Sequence, residues 1–247
     1  MGAIFDKTAY EWNTVITGFE VDMFDRLKLS ALMKRHQEVG ELHLNEFGTS
    51  SDIMRSEQNI AFVFTKVNIK VHDLPRSEEK VTIRTWCSSL KGVRFTRNYV
   101  MFGESGNVMT EAKGEVTTID LVNRRIVRPT EINSFKNFLY NNELENSADY
   151  PQKLHFPENC AEKHQRRIHF SDIDYNGHVN NTVYADMVLD CLDLETLKKP
   201  IKGFEINFIN EVLLSETLEI GVLQDGDERL FSGNVNDRNC FTARLAF

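Results

Sequence analysis

The chain has no long apolar run. None of its hydrophobic stretches approaches the roughly 18–20 residues that a helix needs to cross a bilayer, which excludes a membrane-spanning helix. No basic start followed by an apolar stretch opens it, so neither a signal peptide nor a transit peptide is expected. Proline is scarce, at 5 of 247 residues, and apolar residues make up 41%, which excludes a disordered chain. Positive charge is in deficit. The formal net charge is −8, so nucleic acid and membrane are not expected partners, and an acidic partner would need a local basic patch. The four cysteines, Cys87, Cys160, Cys191 and Cys240, stand singly, without the paired spacing of a metal or redox site. They read as reduced thiols, with Cys191 on the apolar stripe of a helix. No metal and no cofactor is expected.

What is present is an order of elements that occurs twice. Leu32, Met33, His36, Val39, Gly40 and His43 recur at helical steps, with Ser30 as the expected N-cap and Gly48 as the stop. His36 and His43 share a face, but nothing completes a metal site, and packed or solvated histidines are expected. Strands are expected at Ala61–Val71, Lys80–Ser88, Val93–Phe102 and Val108–Asp120. A polar, Asn/Glu-rich stretch with Pro151 and Pro157 follows, with a short apolar patch at Phe135–Tyr140, and reads as a connector. Beyond it come a short strand at Arg167–Phe170 and a stripe of Tyr184, Met187, Val188, Cys191 and Leu192. Strands at Gly203–Ile209, Glu216–Leu223, Arg229–Val235 and Asn239–Phe247 complete the order. Val67–Ile83 and Phe204–Ile220 correspond as strand, acidic turn, strand, and an internal duplication explains the repetition.

The chemistry concentrates between Ser171 and Asn181. Two carboxylates, three carboxamides and a histidine fall within that stretch, directly before a helical pattern. If the stretch is extended, Asp174, Asn176 and His178 share one face. The helix behind them would aim its free N–H groups at whatever they hold. Asp172-x-Asp174-x-Asn176-Gly177 also opens like a calcium loop, but the position of its closing glutamate is occupied by Val183. Capping explains Asn180 or Asn181 and leaves the histidine among them unexplained.

The run Asp174-x-Asn176-x-His178-Val179-Asn180-Asn181 resembles the signature of acyl-acyl-carrier-protein thioesterases. Glu211, in Asn207 to Glu216, resembles that family's glutamate on the following strand, and Gln58–Val71, Pro75 and Thr85-Trp86 resemble its first domain. The resemblance implies an α+β tandem (double) hotdog fold, each unit a long central helix wrapped by an antiparallel sheet. It implies an acyl-chain-binding unit over 1–135, a connector over 136–163 and a catalytic unit over 164–247. Plant members place a cysteine after the glutamate, where this chain has Val212, and carry a plastid-targeting extension. Both differences point to a bacterial-type, cytoplasmic member without thiol chemistry.

On this reading the catalytic residues are Asp174, Asn176, His178 and Glu211. Glu211 would activate water, and His178, with an unperturbed pKa of about 6.5, would move the proton. Asp174 would orient His178, and Asn176 would hold the thioester carbonyl or the water. N–H groups at the start of the following helix would act as oxyanion donors, each worth about 2.7–4 kcal/mol. Asn180, Asn181 and Trp86 are the substrate-binding candidates. The corresponding stretch of the first unit, Val21–Leu27, has no histidine. The implied partner is acyl carrier protein bearing a fatty acyl chain, received by Arg124, Arg125 and Arg128 or by Lys163, Arg166 and Arg167. A second copy of the chain, forming a homodimer, is a further candidate partner. The alternatives are an acyl-coenzyme A thioesterase of the same fold, a hydroxyacyl dehydratase, or a hotdog protein that binds acyl thioesters without cleaving them.

Overall fold

Strands form where β-branched and aromatic residues alternate, and helices where apolar residues recur at three and four. The computed structural model describes residues 3–5, 8–132, 135, 140–157 and 162–247, so Cys160 and residues 136–139 of the Phe135–Tyr140 patch lie outside it. The first half comprises β1 (Ala3–Phe5), β2 (Ala9–Val15), α1 (Leu29–Asn45), α2 (Ser51–Gln58), β3 (Ile60–Val71), β4 (Lys80–Lys91), β5 (Arg94–Gly103), β6 (Val108–Asp120) and β7 (Arg125–Val127). The second comprises β8 (Glu162–Arg167), α3 (Val183–Leu189), α4 (Leu194–Leu197), β9 (Gly203–Phe208), β10 (Thr217–Asp225), β11 (Glu228–Val235) and β12 (Arg238–Ala246).

The strands run in the order β1-β2-β4-β5-β6-β3-β9-β12-β11-β10-β8, with β7 paired to β6. The second half therefore repeats the first in reverse across the sheet. The joint is the antiparallel pair β3–β9, in register from Lys66 opposite Asn207 to Lys70 opposite Gly203. One continuous apolar core spans both halves, from Leu32, Val67 and Ile69 to Tyr184, Phe204 and Ile206. This is the tandem hotdog architecture. Among the described residues no helix is long and apolar enough to cross a membrane.

Three local expectations change and one helix is additional. Ser30 is not the N-cap of α1: Lys28 holds that position without a side-chain bond, and Ser30 is buried in the first turn. The helix α2 was unread, although Ser50 caps it by accepting from the Ile53 N–H at 3.4 Å. No strand runs over Arg167–Phe170, because β8 ends at Arg167 and Phe170–Asp172 forms a 3₁₀ turn. The Asp172 carboxylate bends the chain there by accepting from the His169 N–H and the Arg166 guanidinium, both at 2.9 Å. Finally, α3 has 7 residues against 17 in α1. Asp193 accepts from the Thr196 N–H at 2.8 Å and starts α4, leaving Cys191 and Leu192 in the turn between.

The connector is a strap rather than a free linker. It crosses the outer face of the sheet over the joint, and its backbone donors find acceptors on strand side chains. Ser147 N–H bonds Glu111 at 2.6 Å, Gln152 N–H bonds Glu205 at 2.5 Å, and Leu154 N–H bonds Asn207 at 2.8 Å. Glu205 is 2% exposed and also accepts from Arg244 at 2.8 Å. These polar side chains inside the strands serve as acceptors for the strap's backbone donors.

Candidate active site

Ile173 and Val179 pair as an isolated bridge, so the chain between them reverses instead of extending. The Asp174 N–H donates to the His178 carbonyl at 2.9 Å, and Gly177 N–H returns to the Asp174 carbonyl at 3.0 Å. Gly177 has φ +84°, a conformation that a side chain would strain. Asp174, Asn176 and His178 therefore do not line one face of an extended segment. Asp174 instead accepts from the Asn176 N–H at 2.8 Å and from its amide Nδ2 at 3.2 Å. Among the described residues no side-chain bond links Asp174 to the His178 ring. The carboxylate positions Asn176.

His178 pairs with Leu213, and Val179 N–H donates to the Val212 carbonyl at 2.9 Å. These contacts bring the 209–216 loop against the turn. His178 Nε2 then lies 3.1 Å from Glu211 Oε2. The loop is itself anchored, since Arg238 donates to the Glu211 carbonyl and pairs with Glu216 at 2.7 Å. The helix start contributes less than the sequence implies. The N–H groups of Asn180, Thr182 and Val183 already bond Asp172 O, Asn180 Oδ1 and Asn180 O, each at 2.9 Å.

The first half preserves this backbone without its chemistry. Val21 and Leu27 form the same bridge, Asp22 N–H donates to Arg26 O at 2.8 Å, and Asp22 Oδ1 accepts from Phe24 N–H at 2.8 Å. Leu27 N–H bonds Pro75 O at 2.8 Å as Val179 N–H bonds Val212 O. By that correspondence Asp22, Phe24, Arg26 and Leu74 stand where Asp174, Asn176, His178 and Glu211 stand.

A cavity of about 530 Å³ opens beside the turn. The turn lines it with Asp174, Tyr175, Asn176, Asn180 and Asn181, and the first half lines it both with apolar Leu44, Phe62, Phe64, Phe95 and Val116 and with charged groups such as Lys34, Glu41 and Asp52. The turn of one half thus closes the cavity of the other.

The profile of the acyl-ACP thioesterase N-terminal domain matches residues 7–134, and that of the C-terminal domain matches residues 157–240. The chain belongs to the acyl-ACP thioesterase family. It is 22% identical over 248 residues to a chloroplastic palmitoyl-acyl carrier protein thioesterase of Gossypium hirsutum, an alignment covering 95% of this chain. The chain spans 60% of that relative's length. The fold is similar to that of an acyl-ACP thioesterase from Bacteroides thetaiotaomicron, with a TM-score of 0.88 at 19% identity over 98% of each chain. It is also similar to that of the 12:0-ACP thioesterase from Umbellularia californica, with a TM-score of 0.83 at 17% identity over 97% of this chain and 96% of that one.

Within this acyl-ACP thioesterase framework, Asn180 and Asn181 line the cavity and Trp86 does not. Trp86 is 1% exposed and packs with Ala9 and Val100 on the outer face, partly covered by Phe102 and Leu144. Strand alternation sends it away from Ile83 and Thr85, which face α1. Two further contacts come from the first half. Arg55 of α2 donates to Asn176 Oδ1 and lies 4.9 Å from the centre of the Tyr175 ring. Arg124, in the β6–β7 turn, lies 3.7 Å from Glu211 Oε2. The sequence marks Arg124 only as part of a basic trio and leaves Arg55 unmarked; a reading of the Ser50 cap would have placed Arg55 on a helix. The described cysteines are not nucleophiles of this site. Burial pushes the Cys191 thiol up to about 11 and raises those of Cys87 and Cys240, and Val212 beside Glu211 is fully buried.

Proposed function

We propose that the protein hydrolyses the thioester of fatty acyl-acyl carrier protein, releasing free fatty acid and so terminating fatty acid synthesis. The observation that carries this reading is the His178–Glu211 pair, 3.1 Å apart, with His178 on the same turn as Asp174 and Asn176, which line a cavity that His178 and Glu211 themselves do not line. A cavity of about 530 Å³ lies within the range of about 300–1,000 Å³ typical of small-molecule sites.

In the proposed reaction Glu211 takes a proton from water as the oxygen adds to the thioester carbonyl carbon. Asn176 keeps one amide hydrogen on Asp174 and offers the other to the carbonyl oxygen, with its Oδ1 held by Arg55. The tetrahedral intermediate collapses with cleavage of the C–S bond. The proton reaches the thiolate through His178, whose Nε2 contacts Glu211. A thiolate leaves readily, so the acid requirement is mild. The region over 1–135 would hold the acyl chain, 136–163 would connect, and 164–247 would carry the catalytic groups. The buried free thiols of Cys87, Cys191 and Cys240 suit a reducing, cytoplasmic setting.

Acyl carrier protein is acidic, and the basic trio Arg124, Arg125 and Arg128 is the better docking patch. These residues are exposed, and Arg124 touches Glu211. Both trios have carboxylate neighbours, but those of the first are looser, with Arg125 4.0 Å from Asp120, than those of the other, with Lys163 paired to Glu219 at 2.7 Å and Arg166 to Asp172 at 2.9 Å. Reversing two charges, as Arg125→Glu with Arg128→Glu, should raise KM for acyl carrier protein esters about tenfold at low salt. The difference should shrink as salt is added, measured by steady-state thiol release.

The deciding experiment is thiol release from acyl carrier protein loaded with saturated chains of graded length, run beside the same chains on coenzyme A. Faster release from the carrier protein supports the proposal, and preference for coenzyme A selects the alternative thioesterase. Binding without thiol release would select a non-catalytic acyl-binding protein.

A further inference from the structure

Arg55 belongs to the first half, yet its guanidinium meets the turn of the second. Local bonds fix the helix α2 that carries it. Ser50 caps the helix, and Glu41 of α1 accepts from the Ser51 N–H at 2.6 Å and from the Ser51 hydroxyl at 2.7 Å. Met54 is fully buried beneath it, and Asn59 ends it in the left-handed region at φ +56°. Arg55 is thereby presented, half-buried, from an element anchored in the first half. It lies 4.9 Å from the centre of the Tyr175 ring and donates to Asn176 Oδ1. Among the described residues no carboxylate pairs with Arg55, so its charge is not cancelled before it reaches the amide.

The Asn176 amide is pinned at both ends. Its oxygen faces a guanidinium, which can only donate, and its nitrogen donates at 3.2 Å to the Asp174 carboxylate, which can only accept. Turning the amide over would set oxygen against carboxylate and nitrogen against guanidinium. One orientation is therefore fixed, with one amide hydrogen left over, on a residue that lines the cavity. Hydrogen bonds in series polarise one another, and a cation on the amide oxygen makes the remaining N–H a stronger donor. That donor matters because the N–H groups of Asn180, Thr182 and Val183 at the helix start are already bonded.

We infer that Arg55 is a positioning residue: it fixes and polarises the Asn176 amide, whose free N–H then stabilises the thioester oxygen as negative charge develops on it. This rests on the thioesterase reading above and adds to it a residue from the half that lacks the signature. A contact that strengthens with developing charge acts on turnover rather than on binding. Arg55→Met should therefore lower kcat for acyl carrier protein thioesters by about tenfold and leave KM within about twofold. A double-mutant cycle with Asn176→Ala decides the route. In the Asn176→Ala background, Arg55→Met should lower kcat by less than about twofold, because no amide remains to be oriented. Thermal melting accompanies each measurement, and Arg55→Gln replaces Arg55→Met if the latter fails to fold. Unchanged kcat in Arg55→Met, or an equal loss in both backgrounds, overturns the inference. Wild-type kcat in Asn176→Ala overturns it too and leaves the thioesterase reading standing. Absence of thiol release from the unaltered protein counts against the thioesterase reading instead. The Asn176 side-chain amide resonances in an NMR spectrum then decide the inference alone: a shift on Arg55→Met supports it, and no shift overturns it.

Discussion

On the proposed mechanism, replacing His178 with asparagine, or Glu211 with glutamine, should lower turnover of acyl carrier protein thioesters by about 100–10,000-fold, the usual contribution of a positioned acid or base. Both replacements leave the fold intact. The His178 side chain is 31% exposed and that of Glu211 54%, so neither change opens a cavity in the core. The loop carrying Glu211 keeps its anchor, because Arg238 bonds the Glu211 carbonyl and the Glu216 carboxylate rather than the Glu211 side chain. The two residues act as one unit, so the double variant should be little worse than either single one. Single-turnover thiol release together with thermal melting checks both halves of this expectation. Wild-type turnover in either variant removes that residue from the mechanism. The mirror experiment is available within the same chain: Arg26→Ala, at the corresponding turn of the first half, removes no catalytic group. It does remove bonds to Asp22 at 2.8 Å and to the Leu197 carbonyl at 2.8 Å. It should therefore lower the melting temperature while sparing the chemical step.

The second large effect is on stability in acid. His36 is 3% exposed, and burial alone lowers its pKa from 6.5 to about 3. Between those two values the unfolded chain binds a proton that the folded chain refuses. Stability is therefore full above pH 6.5 and falls as the pH drops toward 3, with a slope of up to about 1.4 kcal/mol per pH unit. Across the window the loss is of order 5 kcal/mol, comparable with the whole stability of an ordinary domain. Glu20 adds a loss at lower pH in the same direction. Desolvation opposes its ionisation, but the Arg35 guanidinium and two bonds from Thr17 outweigh that and hold the carboxyl down at about 2. Its contribution is present above the unfolded carboxylate pKa and disappears as the pH falls through about 2. His36→Phe keeps an aromatic ring stacked on Tyr99 and removes the titration. Urea unfolding at a series of pH values should show the wild-type slope below pH 6.5 flattened in this variant. Parallel slopes would assign the acid sensitivity to other groups.

The short-range features were legible in the sequence. The strand at Val108–Asp120 falls where alternation puts it, and most other strands lie within a few residues of their expected ends. The Asp174–Asn181 signature is contiguous, so its residues had to be neighbours in any fold. Trp86 was misread although the signal was available: with Ile83 and Thr85 directed at α1, strand alternation directs Trp86 outward. The length of α3 was overread because the stripe continues in spacing through Cys191 while Asp193 starts a separate helix.

Contacts between distant segments were not legible, because periodicity carries no information about which surfaces meet. Arg55 and Arg124 belong to the half without the signature, yet one holds Asn176 and the other approaches Glu211. The polar residues Glu111, Glu205 and Asn207 inside strands meet backbone donors of the connector, which lies far from them along the chain.

The sequence by itself determined the duplication, the family resemblance, the absence of the motif from the first half and the chemical identity of the candidate site residues. Each of these is a property of local order along the chain. Only the tertiary structure decided that Asp174 holds Asn176 rather than His178, because the stretch turns at Gly177 instead of extending. Only the tertiary structure decided that the Ile173–Val179 turn of one half lines a cavity walled by the other. Pairing of β3 with β9 sets the two halves side by side, and that pairing rests on backbone bonds that no side-chain pattern announces.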